Sequence, residues 1–297
     1  MMQAFLIKRK VTQATARQRE TSCNMLRLLM LFLLCWFSFA LPRQTALAQG
    51  TDLLSAKRGV ISGGYNFWVY TPEDYYYTQE STPLVLFLHG ASLCGRDMNR
   101  ALRYGTVPAI KMGRVIPALV VTPQNPGGPW SPKKLNDILE WMDENYAYDH
   151  DRVYVLGMSL GGYGTLDFVG TYPEKVAAAM ALCGGCTLKD QSRMGEAPLW
   201  IIHGTADRAV SVRESQTVVN RMKQAGITQR LRYDWLPGAS HGALARYFYT
   251  WKTYEWLFSH SLRDPDRPVN RELNITQGDL NQAYRDMEKR GYQLEVE

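Results

Sequence analysis

Four apolar runs constrain the fold more than anything else in the sequence: "PLVLFLHG" (83–90), "PALVVTPQ" (117–124), "DRVYVLG" (151–157) and "PLWIIHG" (198–204). None alternates apolar with polar residues, as a strand with one wet face would. They read as strands covered on both sides, the situation of a parallel sheet packed between two layers of helices. "YNFWVYTP" (65–72), "VAAAMALCGG" (176–185) and "QRLRYDWLPG" (229–238) add three more strands. Segments of helical spacing separate them. Ser131-Pro132 opens one, with serine as cap and proline in the first turn, and Leu135, Ile138, Leu139, Met142 and Tyr146 follow on one face. Further helices are expected over 160–172, near 211–225 and over 243–259. This alternation predicts an α/β sandwich with a mainly parallel sheet. Ligands of such sheets sit at the carboxyl ends of the strands, so the residues just beyond each strand carry the functional information.

After the strand 151–157 comes Gly157-Met158-Ser159-Leu160-Gly161, where a strand gives way to a helix. The spacing G-x-S-x-G suits a sharp strand-to-helix turn that leaves one serine hydroxyl strained and exposed. The flanking glycines remove side chains that would strike neighbouring backbone. The helix that follows aims its positive end at the serine.

A serine hydroxyl needs a base, and the base needs a carboxylate to fix its tautomer. Thr205-Ala206-Asp207 follows the strand 198–204, and "PGASHGA" follows the strand ending at Leu236, with His241 in a glycine-flanked loop. The order serine, acid, histidine along the chain makes Ser159, Asp207 and His241 the candidate catalytic residues. Asp190 and Asp234 are rival acids, the first after the wrong strand and the second inside one. His260 is expected on the surface at the end of a helix, His89 and His203 are read as structural, and His150 has no assigned role. "FLHGASLCG" (87–95) places the Ala91 N–H at a strand end, where with the Leu160 N–H it would form an oxyanion hole. "QNPGGPW" (124–130) follows another strand end and offers Trp130 as a substrate-stacking residue.

"LFLHG", "GMSLGG", "IIHGTAD" and "GASHG", in this order, resemble the α/β-hydrolase superfamily over about residues 60–260. More narrowly they resemble single-domain esterases grouped with dienelactone hydrolases, polyhydroxybutyrate depolymerase-like and feruloyl esterases, of the phospholipase/carboxylesterase group. The resemblance implies an eight-stranded sheet, an oxyanion role for Ala91, and no metal or organic cofactor. It departs from dienelactone hydrolases proper, whose nucleophile is a cysteine. The expected activity is that of a serine carboxylesterase acting on a small-molecule or carbohydrate ester, including acetyl or feruloyl groups on plant polysaccharides. A serine peptidase or acyltransferase on the same residues is the alternative.

The first 48 residues read differently. Leu28 to Ala40, "LLMLFLLCWFSFA", is an apolar run preceded by Lys8, Arg9, Lys10, Arg17, Arg19 and Arg27 and followed by Ala46-x-Ala48. The run is too short to span a bilayer comfortably and has the form of an export signal cleaved after Ala48, with Met25 as an alternative start. The expectation is a secreted or periplasmic protein without stable membrane insertion. The full chain holds 34 Lys/Arg and 28 Asp/Glu; the segment 1–48 takes seven basic residues and one acidic, leaving 27 of each. A basic balance therefore gives no reason to expect nucleic-acid binding. Cys94, Cys183 and Cys186 remain, an odd number that allows one disulfide or three free thiols, all expected near the active-site rim. The hydrolase domain is expected over 49–262. Residues 263–297 are charged and read as an extension with one surface helix, capped by Thr276 with Asp279 and stopped at Gly291.

Overall fold

The computed structural model describes residues 53–285, Met287 and the backbone of residues 295–296. The expected signal segment 1–48 and the expected helix stop at Gly291 lie outside the described residues. No helix among the described residues is long and apolar enough to cross a membrane.

The seven runs read as strands all form strands. They follow β1 (Leu53–Lys57) as β2 (Asn66–Thr71), β3 (Leu84–Leu88), β4 (Leu119–Gln124), β5 (Val153–Met158), β6 (Ala178–Leu182), β7 (Leu199–Gly204) and β8 (Leu231–Leu236). The helices are α1 (Tyr75–Thr78), α2 (Thr106–Lys111), α3 (Pro132–Asn145), α4 (Leu160–Thr171), α5 (Val212–Gln224), α6 (Trp251–Phe258) and α7 (Gln277–Gln282). The sheet order is β8-β7-β6-β5-β3-β4-β2-β1, and a two-residue strand, β9 (Glu295–Val296), adds a ninth at the β1 edge. β3 to β8 pair in parallel, whereas β2 runs antiparallel to β1 and β4. The eight strands of the expected sheet are thus present, with the short ninth in addition.

Alternate residues of β2 to β7 feed two cores, one on each face. From β3, Val85 and Phe87 join the layer of Val107 and Ile110 on α2 and of Trp256 and Leu257 on α6. Leu84, Leu86 and Leu88 join the layer of Ile138 on α3, Leu166 and Phe168 on α4 and Val218 and Met222 on α5. All five β3 side chains are 0–1% exposed. Each such Leu or Val contributes about 1.5–3 kcal/mol by leaving water, which is why the strand is apolar throughout.

The caps read from sequence hold. Ser131 Oγ accepts from the Lys134 N–H at the start of α3, and Thr276 and Asp279 form a reciprocal capping box on α7. Two segments differ from expectation. The expected helix 243–259 is a 3-10 segment (His241–Phe248) followed by α6. The break falls where the buried Arg114 guanidinium donates through Nε and Nη2 to the Tyr249 carbonyl (3.0 and 2.6 Å), taking the acceptor that a continuous helix would use. The C-terminal helix is only six residues long and does not ride on the surface alone: Leu280 and Ala283 are buried in the α2/α6 core.

Candidate active site

β5 ends at Met158, and Ser159 adopts φ 59° and ψ −123° before α4 begins. A non-glycine residue at positive φ is uncommon and costs of order 1–3 kcal/mol, so the surrounding packing must hold it. The packing is tight enough to do so. A Cβ at Gly161 would lie 1.9 Å from the Leu88 carbonyl oxygen, and one at Gly157 would lie 2.3 Å from the Gly161 carbonyl oxygen. Only glycines let β5, β3 and the first turn of α4 approach this closely. The Ser159 N–H donates to the Leu182 carbonyl at 2.9 Å, tying the turn to β6.

Asp207 sits in the loop after β7. Its side chain is fully buried, and Oδ1 accepts from the N–H groups of Ala209 (2.8 Å) and Val210 (2.9 Å). Oδ2 faces His241 Nδ1 at 2.7 Å and His203 Nε2 at 3.3 Å. Burial pushes the carboxyl up, but the Val210 N–H, the His241 ring and the Ala209 N–H outweigh it and hold the group below the usual carboxylate range. An ionised acceptor opposite Nδ1 holds a proton there, so in the neutral imidazole Nε2 is the bare nitrogen, able to act as a base. His241 is one-quarter exposed. It lines, with Ser159, a cavity of about 680 Å³ together with Ala91, Leu160, Tyr104 and Tyr163. The N–H groups of Ala91 and Leu160 have no acceptor among the described residues; each opens a helical turn, Ala91 a 3-10 turn and Leu160 α4. The positive end of α4 adds to their pull on an anion. The five residues read as catalytic or oxyanion-binding therefore meet around one cavity, with Asp207 behind the base.

The histidines divide as follows. His89 is buried; Nε2 accepts from the Asn125 N–H (3.1 Å), so Nδ1–H donates to the Gly90 carbonyl (2.9 Å). Burial pushes this ring down to about 4, so it stays neutral. His203 braces the Asp207 loop through the Val210 carbonyl and Ser215 Oγ. His260 is not on the surface: it is 2% exposed, donating from Nδ1 to the Trp256 carbonyl and accepting at Nε2 from the Asn270 N–H. Chain beyond residue 262 folds back over it, which its place at a helix end could not reveal. His150 is exposed beside Asp143. Asp190 caps the Ser192 N–H, and Asp234 accepts from Trp200 Nε1 at 2.6 Å.

Trp130 does not line the cavity. It is 3% exposed, lies against Gly164 of α4, where an added Cβ would be 2.7 Å from its ring, and donates from Nε1 to the His89 carbonyl. Its ring meets Tyr65 and His89 edge-on. It packs the back of the nucleophile's helix and is unavailable for stacking on substrate. Cys94, Cys183 and Cys186, the cysteines among the described residues, are free thiols. Cys183 is not at the rim but fully buried at φ 40°, its sulfur within 4.8 Å of ligand-type atoms of Asp207 and His241. Sequence reading missed Tyr104 and Tyr163, which wall the cavity. Tyr163 is four residues past Ser159, one turn along α4, a spacing that could have marked it. Tyr104 has no local signal.

Residues 131–251 match the dienelactone hydrolase family. No curated protein matches the sequence. Among solved structures, a thermostable esterase is 27% identical with a TM-score of 0.60, over 72% of this chain and 64% of that one. The chain thus spans less than two thirds of that esterase's length. Staphylococcus aureus fluorophosphonate-binding serine hydrolase F, in a substrate-bound structure, is 15% identical with a TM-score of 0.51, over 72% of this chain and 100% of that one. An S954A mutant of the Clostridium thermocellum feruloyl esterase module, in complex with sinapinate, is 15% identical with a TM-score of 0.50, over 77% and 92%. These last two likenesses are of fold alone. Sheet order, the strained serine after β5 and the likeness to the thermostable esterase give the chain the α/β-hydrolase fold, with residues 131–251 matching the dienelactone hydrolase family.

Proposed function

We propose that the chain is a serine hydrolase of carboxylic esters. The observation that carries this reading is the Asp207–His241 pair at 2.7 Å beside a strained serine, with base and serine opening on the same cavity. Ser159 Oγ attacks the ester carbonyl while its proton passes to His241 Nε2. The carbonyl π electrons move onto oxygen, where the Ala91 and Leu160 N–H groups receive the charge. Collapse expels the alcohol, which takes its proton from His241, leaving an acyl group on Ser159. Water attacks the acyl-enzyme with the same base, releasing the acid. Asp207, held ionised, keeps the proton on Nδ1 and stabilises the imidazolium.

The substrate we infer is an ester of a small acid. Met158, Leu160, Val210 and Ala245 make an apolar wall, and Tyr104 and Tyr163 offer aromatic faces, which suits a short aliphatic or aromatic acyl group such as acetyl or feruloyl. The test is hydrolysis of p-nitrophenyl acetate, longer p-nitrophenyl esters, feruloylated sugars and an aminoacyl anilide, by wild type and Ser159→Ala. Ester hydrolysis lost with Ser159→Ala supports the reading; cleavage of the anilide in preference to every ester overturns it in favour of a peptidase. We further propose export through the segment 1–48, which amino-terminal sequencing of the protein recovered outside the cytoplasm checks, with Gln49 expected first.

A further inference from the structure

We propose that Tyr104 is a catalytic residue, its phenol O–H serving as a third donor to the oxyanion formed at Ser159. This inference rests on the serine-esterase reading above. Three observations carry it. First, the Gly90 N–H donates to Tyr104 Oη at 2.7 Å, so the bond uses a lone pair of the phenol and leaves its proton to be given either to the facing Ser92 hydroxyl or to a group in the cavity. A donor on the oxygen also makes the O–H a better donor, because hydrogen bonds in series polarise one another. Second, the phenol is within reach. A point at the Cβ position of Gly90 lies 2.6 Å from Tyr104 Oη and 3.4 Å from Ser159 Cβ, so these two atoms are at most about 6 Å apart. An oxyanion on carbon bonded to Ser159 Oγ sits roughly 3 Å from Ser159 Cβ, and an O–H···O⁻ hydrogen bond spans about 2.5–2.7 Å. The two lengths together come to about 5.5–5.7 Å, close to that upper limit, so the phenol can reach the oxyanion. Third, the phenol lines the cavity, and its bond partner Gly90 immediately precedes Ala91, which lines the same cavity and whose N–H has no acceptor among the described residues.

The ring is held for this purpose. It stacks on Phe248 at 6.2 Å and meets Phe87 edge-on. Gly105, at φ 114°, lets the chain lie directly on Phe87, where an added Cβ would be 2.1 Å from the ring. Gly90 in turn leaves room for the hydroxyl, since a side chain there would meet Oη. Burial pushes the phenol up, and the Gly90 N–H and the facing Ser92 hydroxyl only partly oppose it, so the proton is retained at working pH. The other titratable groups facing the phenol are the thiols of Cys94 and Cys183, both pushed up by burial and so neutral in this range, and His241 and Tyr163 across the cavity.

Two variants test the proposal on p-nitrophenyl acetate. Tyr104→Phe keeps the ring packing and removes the hydroxyl; kcat should fall by roughly 10²–10³-fold with KM little changed, the loss typical of one oxyanion donor. A kcat within threefold of wild type overturns the proposal. Replacing Tyr104 by 3,5-difluorotyrosine separates donation to the oxyanion from mere anchoring of Gly90. This phenol has nearly the same shape but ionises at lower pH. A phenolate has no proton to donate yet accepts better from the Gly90 N–H. If Tyr104 is an oxyanion donor, the alkaline limb of the kcat profile moves to lower pH; an unmoved limb reduces it to an anchor and overturns the proposal. Wild-type ester hydrolysis that depends on Ser159 but is indifferent to both changes removes only Tyr104 from the mechanism. No hydrolysis by wild type removes the esterase reading as well.

Discussion

Asp207→Asn should disable the base without disturbing the fold, and the structure says why. Oδ1 of Asp207 accepts two backbone N–H groups, from Ala209 and Val210. An asparagine must therefore keep its carbonyl oxygen there, since an NH₂ group would face two donors. The NH₂ then occupies the Oδ2 position, 2.7 Å from His241 Nδ1. It donates to Nδ1, which must give up its proton, and the proton moves to Nε2, the atom that has to accept from Ser159. The expected loss in kcat is on the order of 10⁴-fold, the size seen when a triad acid is made an amide. That corresponds to about 5 kcal/mol of transition-state stabilisation. The melting temperature should move by no more than a few degrees, because the two side chains match in shape. The assay is p-nitrophenyl acetate hydrolysis at pH 7.5 beside a thermal unfolding scan. Retention of more than a tenth of wild-type kcat would refute the tautomer argument, and collapse of the fold would relocate Asp207's role to structure.

Gly161→Ala should destabilise the protein by about 1–3 kcal/mol and cut kcat/KM by roughly 10²-fold, since its Cβ meets the Leu88 carbonyl at 1.9 Å and forces α4, with the Leu160 N–H, off position. Thermal unfolding and steady-state kinetics read both effects, and an active, equally stable variant contradicts the close approach. His89, neutral when folded with its pKa near 4 against about 6.5 when unfolded, makes the protein lose stability on acidification. The unfolded state binds the extra proton between these values, so stability is full above about 6.5 and should fall by about 2–3 kcal/mol on going from pH 7 to 4.5. Urea unfolding of wild type and His89→Gln at the two pH values checks it, the variant showing the smaller drop. Denatured, unreduced protein beginning at Gln49 should titrate three thiols, for Cys94, Cys183 and Cys186; one would reveal a disulfide.

The parallel strands were legible because burial on both faces writes itself as a continuous apolar run, as in Leu84–Leu88. β1 was not: "LLSAK" is a strand of mixed character, defined by its pairing with β2 and, over two residues, with β9. Ser159, Asp207 and His241 could be found because each lies just past a strand end, where order along the chain limits the choices. Features that depend on distant packing stayed hidden. Trp130 and His260 looked exposed because nothing local announces Gly164 beneath one or the chain near Asn270 over the other. Tyr104 reaches the site through a hydrogen bond to Gly90, fourteen residues back, with no pattern to mark it. The break before α6 depends on Arg114, 135 residues upstream of the carbonyl it takes.

The central claim is that Ser159 is an activated nucleophile, and covalent capture tests it most directly. Incubation with a fluorophosphonate, followed by intact mass and peptide mapping, should give one adduct per chain, on the peptide carrying Ser159. The reaction should be much slower in Asp207→Asn and absent in Ser159→Ala. No adduct, or an adduct mapped to another residue and unaffected by either change, would contradict the account.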